Sequence, residues 1–337
     1  MSSSHSPLSQ AEPAAPLLRV ENLHVHFPLY SGQLRRRETG LLRAVDGVSF
    51  TLRQGEALAL IGAPRCGKTT VARVVALLQQ PTAGRILYRD QDLTTWRGRH
   101  LQHARRSIQM LFSNPYSAFA PRMTVEQILN EALSLGEPRS RRSREQRLAE
   151  VMAQTGLNLY LAARYPRDLS GGNRQRLAVA RALATDPTLL VCDQPADCLD
   201  PGAGAALVDL LQHLRQRLGL ALLLTAREFA TARHADRVAV MVLGRIVEMG
   251  YRADVMRQPL HPFTQALLQQ PDRGIVDKLN RALDPQQLAP GCRYAPACPW
   301  VQARCHISYP PFVEGAADHG VACHLVPGKG LMPQAET

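Results

Sequence analysis

The chain has no apolar run of the roughly 18 residues that a membrane-spanning helix needs; ALALIGA (57–63) and LALLLTA (220–226) fall far short. Any membrane role is therefore expected to be peripheral. The opening MSSSHSPLSQAEPAAP (1–16) has neither a basic start nor an apolar stretch. That pattern excludes a secretory signal and suggests a disordered cytosolic tail. No internal repeat accounts for the 337 residues, and no nucleic-acid motif accompanies the formal net charge of +12. The surplus is mostly arginine, clustered at Arg35, Arg36 and Arg37 and along RSRRSREQR (139–147). Two readings stay open for it, solvated faces and proximity to anionic lipid headgroups. A nucleic-acid partner is not expected.

Seven cysteines in a chain expected to be cytosolic do not make a disulfide framework. Cys66, Cys192 and Cys198 fall in segments that read as core. Cys292, Cys298, Cys305 and Cys323 crowd the last fifth, separated by five, six and seventeen residues. Four thiolates are the usual complement of an iron–sulfur cluster, whereas zinc more often uses tighter cysteine pairs. Free buried thiols are a third reading, and His306 and His324 each follow a cysteine and can replace a ligand.

Residues 17–27 and 44–53 alternate like half-buried strands around a Gly/Arg-rich loop. ALALIG is a short buried strand running into KTTVARVVALLQQ, whose Val71, Val74, Val75 and Leu78 recur at helical spacing. Residues 124–160 are charged and helix-rich, as an inserted subdomain would be. Strand and helix then alternate again from RQRLAVARALATDP through TLLVCD to LALLLT, which implies a mostly parallel sheet covered on both faces. RVAVMVLGRIVEMG reads as two strands around a Leu-Gly turn, and a Pro- and Gln-rich stretch near 258–290 leads into the cysteine-bearing tail.

Gly62-Ala63-Pro64-Arg65-Cys66-Gly67-Lys68-Thr69, followed by Thr70, fits GxxxxGK[ST] between strand and helix. Glycines let backbone N–H groups curl round phosphates, Lys68 supplies a cation, and the Thr69 hydroxyl can ligate Mg²⁺. The strand Leu189–Asp193 ends in an acid that can serve the same ion. Between these lies Leu169-Ser170-Gly171-Gly172-Asn173, opening a helix.

LSGGNRQR in that position resembles the ABC signature LSGGQ. LHVHFP, AVDGVSF, NPYSAFAPRMTV, VMVLGRIVEMG, HPFTQALL and GCRYAPACP resemble the ATP-binding subunits of dipeptide and oligopeptide permeases. The resemblance implies an α/β fold: a P-loop ABC ATPase with a mixed sheet, an antiparallel β edge and an inserted helical subdomain at about 113–168, followed by a small cysteine-rich region. The ATP-binding domain would span 17–255 and the extension 256–330. Phe27 would stack on adenine. Ser170, Gly171, Gly172 and Asn173 would contact ATP held by a second ATPase subunit, and NPYSAFAP would receive a membrane subunit. The resemblance implies two transmembrane permease subunits and an external solute-binding protein, with this chain at the cytoplasmic face of a bacterial inner membrane. It also implies a [4Fe–4S] cluster on Cys292, Cys298, Cys305 and Cys323. A regulatory nucleotide-binding module without transport is the alternative, against which the docking-type segment speaks.

Three catalytic positions depart from the family pattern, besides Asn173 in the place of the signature's glutamine. Ser113 stands where FQDP has glutamine, Gln194 where DEP has glutamate, and Arg227 (followed by Glu228) where a histidine pairs with aspartate. The D-loop SALD becomes Asp197-Cys198-Leu199-Asp200. These changes predict retained Mg-ATP binding with weak hydrolysis, because a positioned base typically contributes about 10²- to 10⁴-fold to rate. The chain would then be half of an asymmetric heterodimer.

Overall fold

A computed structural model describes residues 15–31, 37–114, 118–136, 140–269, 290–315 and 318–326. Most of the amino-terminal tail, Pro115–Ser117 of the expected docking segment and residues 270–289 lie outside the described residues.

The chain opens with a long hairpin, β1 (Leu18–Ser31) and β2 (Arg37–Leu52). Both strands run further than the sequence pattern suggests, into the Gly/Arg-rich segment, because pairing continues from Leu18↔Leu52 to Ser31↔Arg37 across several register shifts. With β4 (Ala83–Tyr88) and β5 (Gln91–Asp92) this hairpin forms an antiparallel sheet in the order β2-β1-β4-β5.

The second sheet holds β3 (Ala57–Gly62), β6 (Ile108–Leu111), β7 (Leu189–Asp193), β8 (Ala221–Ala226), β9 (Arg237–Val242), β10 (Arg245–Tyr251), β11 (Val313–Glu314) and β12 (Gly320–Val321). Its order is β11-β12-β10-β9-β3-β8-β7-β6, parallel from β9 to β6 and antiparallel beyond. Continuous apolar strands follow from burial on two faces. Ala57, Ala59 and Ile61 of β3 enter one core, and Leu58 and Leu60 enter the other. β8 divides likewise, Leu222 and Leu224 against Ala221 and Leu223.

α1 (Lys68–Val75) covers one face, and α5 (Gly171–Leu183) and α6 (Pro201–Leu218) the other. α1 ends sooner than the periodicity predicts, since Leu77 turns to φ +59°. α2 (Gly98–Ser107) leads into β6. α3 (Val125–Leu135) starts on a reciprocal Thr124–Gln127 capping box and α4 (Arg141–Gln154) on Ser140; both pack on α5. α7 (Arg252–Arg257) and α8 (Pro262–Gln269) follow β10, and the cysteine-bearing segment lies against the same sheet through β12.

Candidate nucleotide-binding site

β3 delivers the chain to Gly62, and residues 63–67 turn it into α1. A Cβ on Gly62 would sit 2.3 Å from the Met241 carbonyl oxygen, and one on Gly67, at φ +107°, 2.2 Å from that of Ala44. Neither position admits a side chain. Lys68 is buried, donating from Nζ to the carbonyls of Gly62 (2.7 Å) and Ala63 (2.9 Å).

Asp193 is the pivot behind the loop. Its Oδ1 accepts from Thr69 Oγ1 at 2.9 Å and from Thr225 Oγ1, at the end of β8, at 2.7 Å. Gln194 follows in the left-handed region at φ +47°. Its Nε2 donates to Thr69 Oγ1 (3.4 Å) and its Oε1 accepts from Arg227 Nε (3.1 Å). Arg227 Nε also lies 2.9 Å from Asp197 Oδ2. Burial raises the Asp197 carboxyl above its ordinary range, opposed by Arg227 and Lys68 and assisted by Asp193.

Lys68, Thr69, Gln194 and Arg227 border a cavity of about 480 Å³. Phe27, Pro64, Arg65, Cys66, Gly67, Lys68, Thr69, Thr70, Gln194 and Arg227 all line it. So do Arg43, Ala44, Leu42 and the Leu243-Gly244 turn, none of which the sequence assigned to the nucleotide. The lining carries four cationic side chains and no carboxylate, a charge balance suited to a polyphosphate. Gly62 and Asp193 support the cavity from behind. Ser113 does not line it; its carbonyl accepts from Gln175 Nε2 at 3.2 Å, and the same amide donates to Pro195 O at 3.1 Å. Buried Gln175 thus ties the segment at 113 to the residue after Gln194.

Ser170–Asn173 lie elsewhere on this chain. Ser170 is the exposed N-cap of α5, accepting from Asn173 N at 3.2 Å. A Cβ on Gly172 would meet nothing within 4 Å, and one on Gly171 only Leu199 at 3.5 Å. The chain's own packing does not require either glycine.

Comparison with known proteins places this geometry. The family described as ABC transporter matches residues 45–197, and the family described as oligopeptide/dipeptide transporter, C-terminal region, matches 247–305. A probable peptide ABC transporter ATP-binding protein of Sinorhizobium fredii, y4tS, is 38% identical, with 92% of this chain and 90% of that protein covered. The chain belongs to the ABC transporter family, among its oligopeptide/dipeptide-type ATP-binding proteins. The dipeptide transport ATP-binding protein DppF of Escherichia coli is 37% identical over 92% of this chain and 95% of its own length. A bacterial ABC transporter cassette solved as a dimer, MJ0796, shares the fold at TM-score 0.62 and 23% identity, over 70% of this chain and 98% of that one.

In this ABC protein the oligopeptide-type region contains Cys292, Cys298 and Cys305, and Cys323 lies beyond the matched residues. Cys305 is buried and the other three are half-buried. Backbone N–H groups of Tyr294 and Ala295 bond the Cys292 sulfur, that of Trp300 bonds Cys298, and that of Leu325 bonds Cys323. Burial pushes the thiols of Cys292, Cys298 and Cys323 up, Cys323 to about 11, and their mutual proximity adds to it. Among the described residues, the only His, Cys, Asp and Glu side chains grouped closely enough for one ion are His24, His26 and Asp46. Asp46 already pairs with Arg245 and Arg293, so that group is not short of positive charge. Arg293, beside Cys292, also donates to Leu243 O at 2.9 Å and so ties the cysteine segment to the cavity wall.

Proposed function

We propose that the chain is the ATP-binding subunit of a bacterial importer for peptides or a related small solute, and that its own site binds Mg-ATP but hydrolyses it poorly. The observation that carries the second half is Gln194: an amide wedged between Thr69 and Arg227 occupies the position expected to orient or deprotonate water, and no carboxylate lines the cavity. An amide can position water but cannot take its proton. Lys68 and the P-loop amides hold the phosphates, Phe27 presents an aromatic face to the base, and Thr69 and Asp193 supply oxygens of the kind Mg²⁺ selects. The ion when bound neutralises charge between the terminal phosphates.

The exposed Ser170-Gly171-Gly172-Asn173 helix start serves a second ATPase subunit. Glycines that internal packing does not need leave bare backbone N–H groups open to a partner's phosphate. NPYSAFAP (114–121), with the adjoining groove between α2, β6 and α3, about 590 Å³ and lined by Leu78, Met110, Phe112 and Leu135 with Arg105 and Arg181, receives one of two transmembrane permease subunits. An external solute-binding protein delivers the substrate. No helix among the described residues is long and apolar enough to cross a membrane, which suits a peripheral subunit at the cytoplasmic face of the inner membrane. Residues 17–255 make the ATP-binding domain, with the helical subdomain at about 113–168, and 256–330 the extension.

The four cysteines fit a [4Fe–4S] cluster. The sulfurs of Cys292, Cys298 and Cys323 accept backbone N–H bonds, and burial makes their bare thiolates costly unless a cation compensates. They are not drawn together as tightly as the His24–His26–Asp46 group, within 4.8 Å, whereas a zinc ion with Zn–S near 2.3 Å requires sulfurs about 3.8 Å apart. The cluster when bound supplies covalent cross-links between cysteines far apart in sequence.

The test is steady-state ATPase activity of the assembled complex. Ser170→Arg places a cation and extra bulk against the partner's nucleotide and should abolish turnover; Gln194→Ala removes no base and should change turnover less than about twofold. Loss of turnover in Gln194→Ala with Ser170→Arg intact would invert the two roles.

A further inference from the structure

We propose that His24, His26 and Asp46 form a binding site for a divalent transition-metal ion of the zinc type, held between β1 and β2 and separate from the cysteine segment.

His24 and His26 alternate along β1 with buried Val25 between them, so both rings stand on the face opposite that residue. Asp46 is the partner of His24 across the β1–β2 pairing, and the register shifts between Val25 and His26. Both rings approach one oxygen: His24 Nδ1 lies 3.1 Å and His26 Nε2 3.5 Å from Asp46 Oδ1. The three ligand atoms fall within 4.8 Å of one another. A tetrahedral ion with bonds of about 2.0–2.2 Å keeps neighbouring donor atoms about 3.3–3.6 Å apart. These separations therefore need little adjustment to receive one.

Arg245 and Arg293 bond only the other oxygen, Asp46 Oδ2. They answer the charge of the carboxylate and leave Oδ1 to the histidines. What the cluster lacks is an acceptor for its lone pairs. His26 Nε2 is buried without a hydrogen-bond partner. His24 Nε2 lies 3.1 Å from Asn22 Oδ1, which can only accept, so the proton of the neutral ring belongs on Nε2. Its Nδ1 then turns a lone pair toward Asp46 Oδ1. A metal ion satisfies all three atoms together. The outward bond from His24 to Asn22 and the arginines behind Asp46 are the supports that metal-bound imidazoles and carboxylates ordinarily have. Two imidazole nitrogens with one carboxylate oxygen suit zinc or nickel rather than magnesium or calcium. Three protein donors leave one of four positions to water, the pattern of an open site rather than a closed structural one. Next to His26 and Asp46 in the chain lie Phe27 and the Leu42–Ala44 segment, which line the nucleotide cavity, so the ion braces the two strands that form that wall.

Cobalt(II) is the probe, because its absorption reports its ligands. Titration of the purified full chain with Co²⁺ should reveal a bound ion with ligand-field bands and no thiolate-to-cobalt charge transfer, displaced by Zn²⁺; any ion taken by the cysteines carries the charge-transfer bands instead. His24→Ala and His26→Ala should each weaken the thiolate-free component by about 100-fold or more and leave any charge-transfer bands unchanged. Asn22→Ala, at an exposed residue, should weaken it about tenfold, and it remains informative if a ring variant fails to fold. A wild-type chain without a thiolate-free cobalt spectrum overturns the site, and so does a spectrum that keeps its affinity in all three variants.

Discussion

Lys68 is held by two carbonyls of its own loop rather than by a carboxylate, so its ammonium is oriented but not neutralised before a phosphate arrives. Lys68→Ala is expected to abolish measurable Mg-ATP affinity, read by isothermal titration, because the clustered phosphate charge then lacks the one buried cation among those lining the cavity; unchanged affinity would remove the P-loop from the argument. At the same scale Thr225 and Gln175 do quieter work. Thr225 fixes Asp193 and also accepts from Gln194 N at 3.0 Å, and Gln175 joins the loop at 113 to Pro195. Neither has a sequence signature of its own, since threonine ending a strand and glutamine in a helix are commonplace.

Among the elements, the cysteine segment is where the proposed [4Fe–4S] site lies. It contains only short pieces, a turn at Ala295–Ala297, a helical turn at Ala303–Ile307 and the β11–β12 pair. It is tied to the ATP-binding domain by Arg293 on Asp46 and by Arg245 stacked over the Tyr309 ring. Anaerobically purified protein is expected to be brown, with a broad thiolate-to-iron band near about 400 nm. A colourless, iron-free preparation with stoichiometric zinc would replace the iron–sulfur reading with a mononuclear one.

For the molecule as a whole, the junction of β10, α8 and β12 sets a pH limit. Glu248 is fully buried and accepts from Leu260 N, His261 N and the His319 ring. The His261 ring accepts from Phe263 N on Nδ1, and its Nε2 is buried without a partner. Burial lowers the His261 pKa to about 3. A histidine depressed in the folded state leaves stability unaffected above the unfolded value near 6.5. As pH falls from there toward about 3, the unfolded chain takes up a proton that the folded one refuses, and stability is lost by up to about 1.4 kcal/mol per pH unit. His261→Asn keeps an acceptor for Phe263 N and removes the titration. Between pH 7 and pH 5, urea unfolding of the wild type should lose about 2 kcal/mol more stability than the variant; parallel losses would show that His261 is not the group responsible.

The sequence by itself determined the P-loop, the strands and helices around it and after the signature, and the family, because glycine spacing and two-sided apolar strands are local constraints that survive in one dimension; β4, α2 and β6 (83–111) carry no such pattern and emerge only in the structure. The residues at 113, 194 and 227 were legible as departures only against the family pattern. What they touch was decided by tertiary structure. Gln194 and Arg227 stand 33 residues apart and meet because β7 and β8 are parallel neighbours whose ends open on the same side. The same strand order carries Thr225 to Asp193. The length of the opening hairpin, the early end of α1, and the link from Arg293 through Leu243 to the cavity wall all depend on partners distant in the chain. No local pattern encodes such partners, since a hydrogen bond or ion pair across 50 or 247 residues is fixed by packing rather than by spacing.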